Sequence, residues 1–246
     1  MTPKARGSAA GGGYAAVLFD ALGTLVELEP PWPLLRAALA DSHGIEVDDA
    51  PAKSAVIAEM TYYKAHHMEG TDETSLGALR ARCAAVLRDG LPPLAALGIE
   101  QVTEVLMRSL RFTPYPDAAP ALGRLRSLGI RSAVVSNWDV SLRGILGELG
   151  LGGLVDSVVV SAEVGAAKPE RAIFERALRE VQSPAARAVF VGDSPQTDVA
   201  GAIGAGLRPV LVDRGAGGEG IEGVERIFTL ESLDELIAPP VFDPRP

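Results

Sequence analysis

The sequence predicts an α/β fold: a doubly wound, Rossmann-like parallel sheet with an all-helical segment inserted after its first strand. Two observations predict it. Short Val-rich runs alternate with amphipathic helical stretches along most of the 246 residues. The stretch between the first such run and Ala118 breaks that alternation and reads as helix instead. A chain that is 47% hydrophobic and 22% charged has the apolar content for a core of this size.

The elements follow in order. YAAVLF (14–19) is a compact apolar run of the kind buried on both faces of a parallel sheet. The insertion then offers Pro33–Ala40 and Ala52–Lys64 as helices. Asp72 can cap a third helix, in which Leu76, Leu79, Cys83, Val86 and Leu87 recur at helical spacing and Gly90 stops it. Glu100–Leu110 completes the insertion. The alternation resumes at Ala118–Leu128, whose Leu122, Leu125 and Leu128 share a face and which ends at Gly129. RSAVVS (131–136) is the second strand, and Val140–Leu149 the next helix, with Leu142, Ile145, Leu146 and Leu149 together. DSVVVS (156–161) is a third strand. Pro169–Val181 is a helix with Pro at its first position. AVFVG (188–192) and RPVLVD (208–213) are further strands, separated by the small-residue helix VAGAIGAG. The expected layout is a tail over 1–13, a core of 14–28 and 112–238, a cap over 29–111, and a second tail over 239–246.

Composition excludes several classes of function. A net charge of -9 argues against a nucleic-acid partner, because that binding is driven by Lys and Arg neutralising phosphates. No apolar run approaches the roughly 20 residues that span a bilayer, so no membrane partner is expected. One cysteine, Cys83, cannot staple a fold, and MTPKARGSAAGGG has no apolar stretch to make it a secretory signal. The expectation is a cytoplasmic protein, monomer or homodimer.

Ligands of open α/β sheets bind beyond the carboxyl ends of the strands. The first strand ends in Asp20 within VLFDALGTL, and the second in Ser136-Asn137. Lys168 precedes a helix, and the fourth strand runs into Gly192-Asp193-Ser194-Pro195-Gln196-Thr197-Asp198. Each has an ordinary reading alone: a turn aspartate, loop polar groups, a solvated lysine, a capped helix. All four, however, would meet at one edge of one sheet.

FDALGTL, VVSNWD, KPERAIF and VGDSPQTDVAGAIGAG resemble, in order, the four motifs of the haloacid dehalogenase superfamily, and the resemblance spans Tyr14 to Val212. The insertion is similar to that superfamily's helical cap. The resemblance implies a hydrolase in which Asp20 is the nucleophile and forms an aspartyl intermediate. It implies that Lys168 stabilises charge, that Ser136, Asn137 and Thr24 bind substrate, and that Asp20, the Leu22 carbonyl and Asp193 hold Mg²⁺ with Asp198 behind them. The implied partner is a small phosphorylated molecule.

Leu22 departs from the pattern. Phosphatases of that superfamily place an aspartate there as general acid, and Leu has no proton to give, although its carbonyl still serves a metal. Three readings follow. One is a Mg²⁺-dependent phosphatase whose leaving group needs little protonation, or whose proton comes from His66, His67 or Glu69 of the cap. A second is a 2-haloacid dehalogenase, which Leu22 suits because halide needs no proton. Gly192-Asp193 stands where that group has Ser-Asn, however, and Phe174 where it has Tyr. The third is a binding protein that has lost its acid. Gly201–Gly206 does not support dinucleotide binding, since it lies within a helix. Asp139 reads as a helix cap, and Trp32, Tyr62 and Tyr63 as packing residues of the insertion or ligand contacts.

Overall fold

The computed structural model describes residues 13–215, 217, 220–231 and 233–237. The expected tails, and part of the glycine-rich 215–223 segment, lie outside the described residues. β1 (Ala16–Phe19) leads through β2 (Val26–Leu28) into α1 (Pro31–His43), α2 (Asp49–His66), α3 (Glu73–Gly90) and α4 (Ile99–Ser109). β3 (Phe112–Pro114) returns the chain to α5 (Ala118–Ser127), β4 (Arg131–Ser136), α6 (Leu142–Glu148), β5 (Ser157–Val160) and α7 (Ser161–Val164). α8 (Arg171–Glu180), β6 (Ala188–Gly192), α9 (Ala200–Ala205), β7 (Arg208–Val212), β8 (Glu225–Ile227) and α10 (Leu233–Ile237) follow.

Six strands form one parallel sheet in the order β5-β4-β1-β6-β7-β8. β1 lies at its centre, with Phe19 opposite Val134 on one side and Val191 on the other. The chain winds outward from β1 in both directions, which opens the crevice beside its carboxyl end. Alternation along β1 feeds two cores. Val17 and Phe19 join Val134, Val189 and Val191 on one face, while Ala16 and Leu18 join Val135, Phe174 and Phe190 on the other. Each fully buried Phe there contributes roughly 1.5–3 kcal/mol.

The segment between β2 and β3 is helical and packs around an apolar cluster of its own, including Leu35, Leu39, Leu79, Leu87 and Leu106. Asp72 caps α3 as expected: its Oδ1 accepts from the Ser75 backbone N–H at 2.8 Å, and Ser75 Oγ accepts from the Asp72 N–H at 3.0 Å.

Two features differ from expectation. β2 and β3 form an antiparallel ribbon at the root of the insertion, pairing Val26 with Pro114 and Leu28 with Phe112. At three residues each they are too short for sequence alternation to reveal them. The helix expected from Pro169 begins at Arg171, with Glu170 as its extended N-cap, so Pro169 sits before the helix. Among the described residues, no helix is long and apolar enough to cross a membrane.

Candidate active site

The chain leaves β1 at Asp20 and turns back at once. Leu25 N–H and Val26 N–H both bond to the Ala21 carbonyl, at 2.8 and 3.0 Å, and Gly23 N–H bonds to the Val26 carbonyl at 2.8 Å. Gly23 makes this turn at φ +79, a left-handed conformation that favours glycine. It is also hemmed in, since a Cβ there would lie 2.1 Å from Asp193 Oδ2. The turn after β1 and the loop after β6 therefore press together.

Sheet register brings the remaining groups to the same edge. Ser136, the last residue of β4, donates its Oγ hydrogen to Asp20 Oδ1 at 2.9 Å. Lys168 Nζ reaches the same oxygen at 2.6 Å and Asp198 Oδ1 at 2.7 Å. All four side chains are buried. Burial works against the Lys168 charge, but Asp20 and Asp198 outweigh it and hold the ammonium above the ordinary lysine range. Burial pushes the Asp20 carboxyl up, opposed by Lys168 and reinforced by Asp198. One ammonium thus faces two buried carboxylates.

Asn137 brackets the lysine. Its amide oxygen accepts from the Lys168 N–H at 2.7 Å, and its amide nitrogen donates to the Lys168 carbonyl at 2.9 Å. Asp198 is braced by the Ser194 N–H at 3.0 Å. Gly192 allows that approach, because a Cβ there would meet Asp198 Oδ2 at 2.3 Å.

Asp193 sits on the exposed side of the cluster. Its carboxyl is pushed up to about 7, by desolvation first and then by Asp20 and Asp198. Because Asp193 is exposed, water weakens the first cause, and the two neighbouring carboxylates dominate. Oxygens of Asp20, Asp193 and Asp198 all lie within 4.8 Å of one another. Three crowded carboxylate groups suit a hard divalent cation such as Mg²⁺, which would relieve their repulsion.

The cluster forms the floor of a cavity of about 1000 Å³, whose walls include Leu22, Phe112, Trp138 and Ile145 and, from the insertion, Glu59, Tyr63, His67, Leu76 and Cys83. Leu22 is half-buried and pairs with Val26 in a β-bridge. Thr24 is placed elsewhere. It is fully buried, does not line the cavity, and its carbonyl accepts from Arg214 Nη2 at 2.7 Å. Arg214 also pairs with Asp117 through two bonds of 2.6 and 2.9 Å, tying the turn after β1 to the start of α5.

Of the three expected proton donors, only His67 lines the cavity. His66 stacks on Tyr62 and Glu69 pairs with Arg82. Trp32 and Tyr62 pack on the insertion's cluster, whereas Tyr63 also donates its hydroxyl hydrogen to Asp139 Oδ2 at 2.8 Å. Asp139 accepts from the Ser141 N–H at 2.7 Å, just ahead of α6.

Residues 14–206 match the haloacid dehalogenase-like hydrolase family. The chain belongs to that family. A haloacid dehalogenase-like hydrolase domain-containing protein 3 from Mus musculus is 29% identical over 89% of the chain and 90% of its own length. A glyceraldehyde 3-phosphate phosphatase from Methanothermobacter thermautotrophicus is 38% identical over 50% of the chain, a match spanning 54% of that relative. The chain thus spans about half the length of several curated relatives it matches. The crystal structure of a HAD phosphatase from Thermococcus onnurineus is similar over 91% of this chain and 97% of that one, with a TM-score of 0.64 and 26% identity.

Glu59 was not singled out in the sequence, yet it is buried and lines the cavity. A signal existed. Ala52, Ala55, Val56 and Glu59 follow helical spacing along the buried stripe of α2, so the carboxyl falls where an apolar residue is expected.

Proposed function

We propose that this protein is a Mg²⁺-dependent phosphatase acting on a phosphorylated small molecule through Asp20. The observation that carries the reading is the Asp20–Lys168–Asp198 arrangement, with Asp193 crowded against it and a large cavity above. An Asp20 oxygen attacks phosphorus, and the bond to the leaving oxygen breaks with its electron pair on that oxygen. Water then cleaves the aspartyl phosphate, releasing phosphate and restoring Asp20. Lys168 and Ser136 fix the carboxylate's orientation, and the ammonium offsets charge gathered on the phosphoryl oxygens. Asn137 positions Lys168 through its backbone. Asp193, Asp20 and the Leu22 carbonyl would hold the metal, with Asp198 supporting Lys168 and the loop. Bound Mg²⁺ would neutralise the acidic trio and the phosphate dianion, which otherwise repel each other.

The leaving oxygen receives no proton from Leu22. The reading therefore favours acyl and aryl phosphates over alkyl esters, since general acid catalysis is worth about 10²–10⁴-fold. A curated relative named as a phosphatase supports the phosphate substrate.

Leu22 also favours a second reading, dehalogenation of a 2-haloacid, because halide departs unprotonated. Asp193 argues against it. A carboxylate group this close to Asp20 repels an anionic substrate unless a cation stands between them.

The test is a hydrolysis screen of phosphate esters, acyl phosphates and 2-haloacids, with Mg²⁺ and with chelator. Turnover of phosphorylated compounds only, abolished by chelator and in Asp20→Asn, is expected. Metal-independent halide release replaces the first reading with the second. Inactivity across the whole screen overturns both and leaves a binding protein.

A further inference from the structure

The floor of the cavity accounts for the phosphoryl group, but not for an unusual wall that α2 presents above it. Glu59 is only 4% exposed, and among the described residues its hydrogen-bond partner is the Cys83 thiol. Asp139 is 2% exposed, and its partners are the Tyr63 hydroxyl and the Ser141 N–H. Neither carboxyl forms an ion pair with a Lys or Arg among the described residues. Three cations that also line the cavity, Lys64, Arg80 and Arg111, pair with neither, and Arg111 faces Glu29 at 3.6 Å.

Two further side chains of this wall, Tyr63 and His67, also bear on what it can bind. Tyr63 commits its hydroxyl hydrogen to Asp139, which leaves lone pairs on its oxygen. His67 Nδ1 meets the Lys64 carbonyl at 2.9 Å; a carbonyl only accepts, so Nδ1 carries the hydrogen. Its Nε2 is buried with no hydrogen-bond partner among the described residues. Glu59, Tyr63 and His67 lie four residues apart on one side of the helical run and line the same cavity.

Buried carboxyls are normally paired with a cation, so two unpaired ones beside the lone pairs of the Tyr63 oxygen describe a ligand that brings positive charge and N–H groups. They do not describe a metal site: among the described residues, the cluster with metal-holding geometry is Asp20, Asp193 and Asp198.

We infer that the wall formed by Glu59, Tyr63 and Asp139 seats an ammonium group, so that the preferred substrate is a phosphate ester bearing an amine. This rests on the phosphatase reading and adds a substrate class to it. Burial keeps the Glu59 carboxyl above its ordinary range while the cavity lacks such a ligand. An arriving ammonium pairs with the Glu59 carboxylate and offsets the effect of its burial.

The experiment compares ω-aminoalkyl phosphates of increasing chain length with their ω-hydroxyalkyl isosteres, in the wild type and in Glu59→Gln and Glu59→Leu. p-Nitrophenyl phosphate, turned over with Mg²⁺, reports on the phosphatase reading separately. At the matching chain length the amine is expected to exceed the alcohol in kcat/KM by about 10–100-fold, the worth of a hydrogen bond to a charged group. That ratio is expected to fall toward one in both variants. Glu59→Leu is expected to raise Tm, since it replaces a poorly paired buried carboxyl; a purely structural glutamate would lower Tm and leave the ratio alone. Equal rates for amine and alcohol, with p-nitrophenyl phosphate hydrolysed, overturn the inference and leave the phosphatase reading standing. If no phosphate is hydrolysed, calorimetry with the same compounds decides: tighter binding of the amines sustains the ammonium site, and equal or absent binding overturns it.

Discussion

Lys168 Nζ stands 2.6 Å from Asp20 Oδ1, and this contact joins two loops that are far apart in sequence. The same nitrogen reaches Asp198 at 2.7 Å, so the pair is one side of a buried triad. Removing the lysine leaves two buried carboxylates without their cation. Lys168→Met is expected to lose measurable turnover and to lower stability by about 3–5 kcal/mol, as removal of one partner of a buried pair does. Denaturant melts and phosphate release check both. A variant as stable as wild type shows that the triad does not depend on this charge.

Leu22 lines the cavity and is only half-buried, so a carboxyl can replace its side chain without entering the core. Leu22→Asp is expected to raise kcat on alkyl phosphates by about 10²-fold, with a smaller gain on aryl phosphates, whose leaving groups need less protonation. Equal gains on both, or none in a folded variant, show that protonation does not limit the rate.

Gly23→Ala adds a Cβ at 2.1 Å from Asp193 Oδ2 and places alanine at φ +79. The left-handed backbone alone costs about 1–2 kcal/mol. Asp193 must also move, so Mg²⁺ affinity measured by calorimetry is expected to fall more than stability does. Unchanged affinity removes Asp193 from the proposed metal shell.

Asp193 predicts the pH dependence of metal uptake. Its carboxyl titrates near about 7, so below that pH a proton occupies the group that Mg²⁺ requires. Apparent Mg²⁺ affinity is expected to weaken from pH 8 to pH 6, with proton release on binding. Because this carboxyl is raised, its contribution to stability is complete below the unfolded value, near about 4. In metal-free protein that contribution is lost as pH rises through about 7. Flat affinity across this range refutes the assignment.

Asp117 works in the opposite sense. Burial acts to raise its pKa, but Arg214 and the Leu230 N–H outweigh burial and hold the carboxyl below its ordinary range. Its contribution is therefore present above the unfolded value of about 3.9 and lost as pH falls through the lower folded value. Asp117→Asn is expected to lower Tm at neutral pH and to narrow its distance from wild type in strong acid. A gap independent of pH shows that the ion pair is not what stabilises.

The sheet was legible because AVFVG and RSAVVS are long enough, and apolar enough, to be read without partners. The β2–β3 ribbon was not. VEL and FTP carry no periodicity, and the pairing of Leu28 with Phe112 joins residues that only the folded insertion brings together. At the site, Asp20, Ser136 and Asp193 could be named from strand ends, and Lys168 and Asp198 from the helix starts that follow β5 and β6. Thr24 could not be placed, because whether a turn residue faces the cavity or the core depends on Arg214, far along the chain. Glu59 was hidden by its type: a glutamate in a helix reads as solvent-facing until burial reverses the reading.

The ribbon also has a consequence for how such a molecule changes over time. Glu29 N–H bonds to the Arg111 carbonyl at 3.0 Å, so the chain departs and comes back at a single point. An exchange of everything between those two residues leaves each sheet strand and each carboxylate of the floor in its own register. The Glu59 and Tyr63 side of the wall travels with such an exchange, while Asp139 and the carboxylates beneath stay behind.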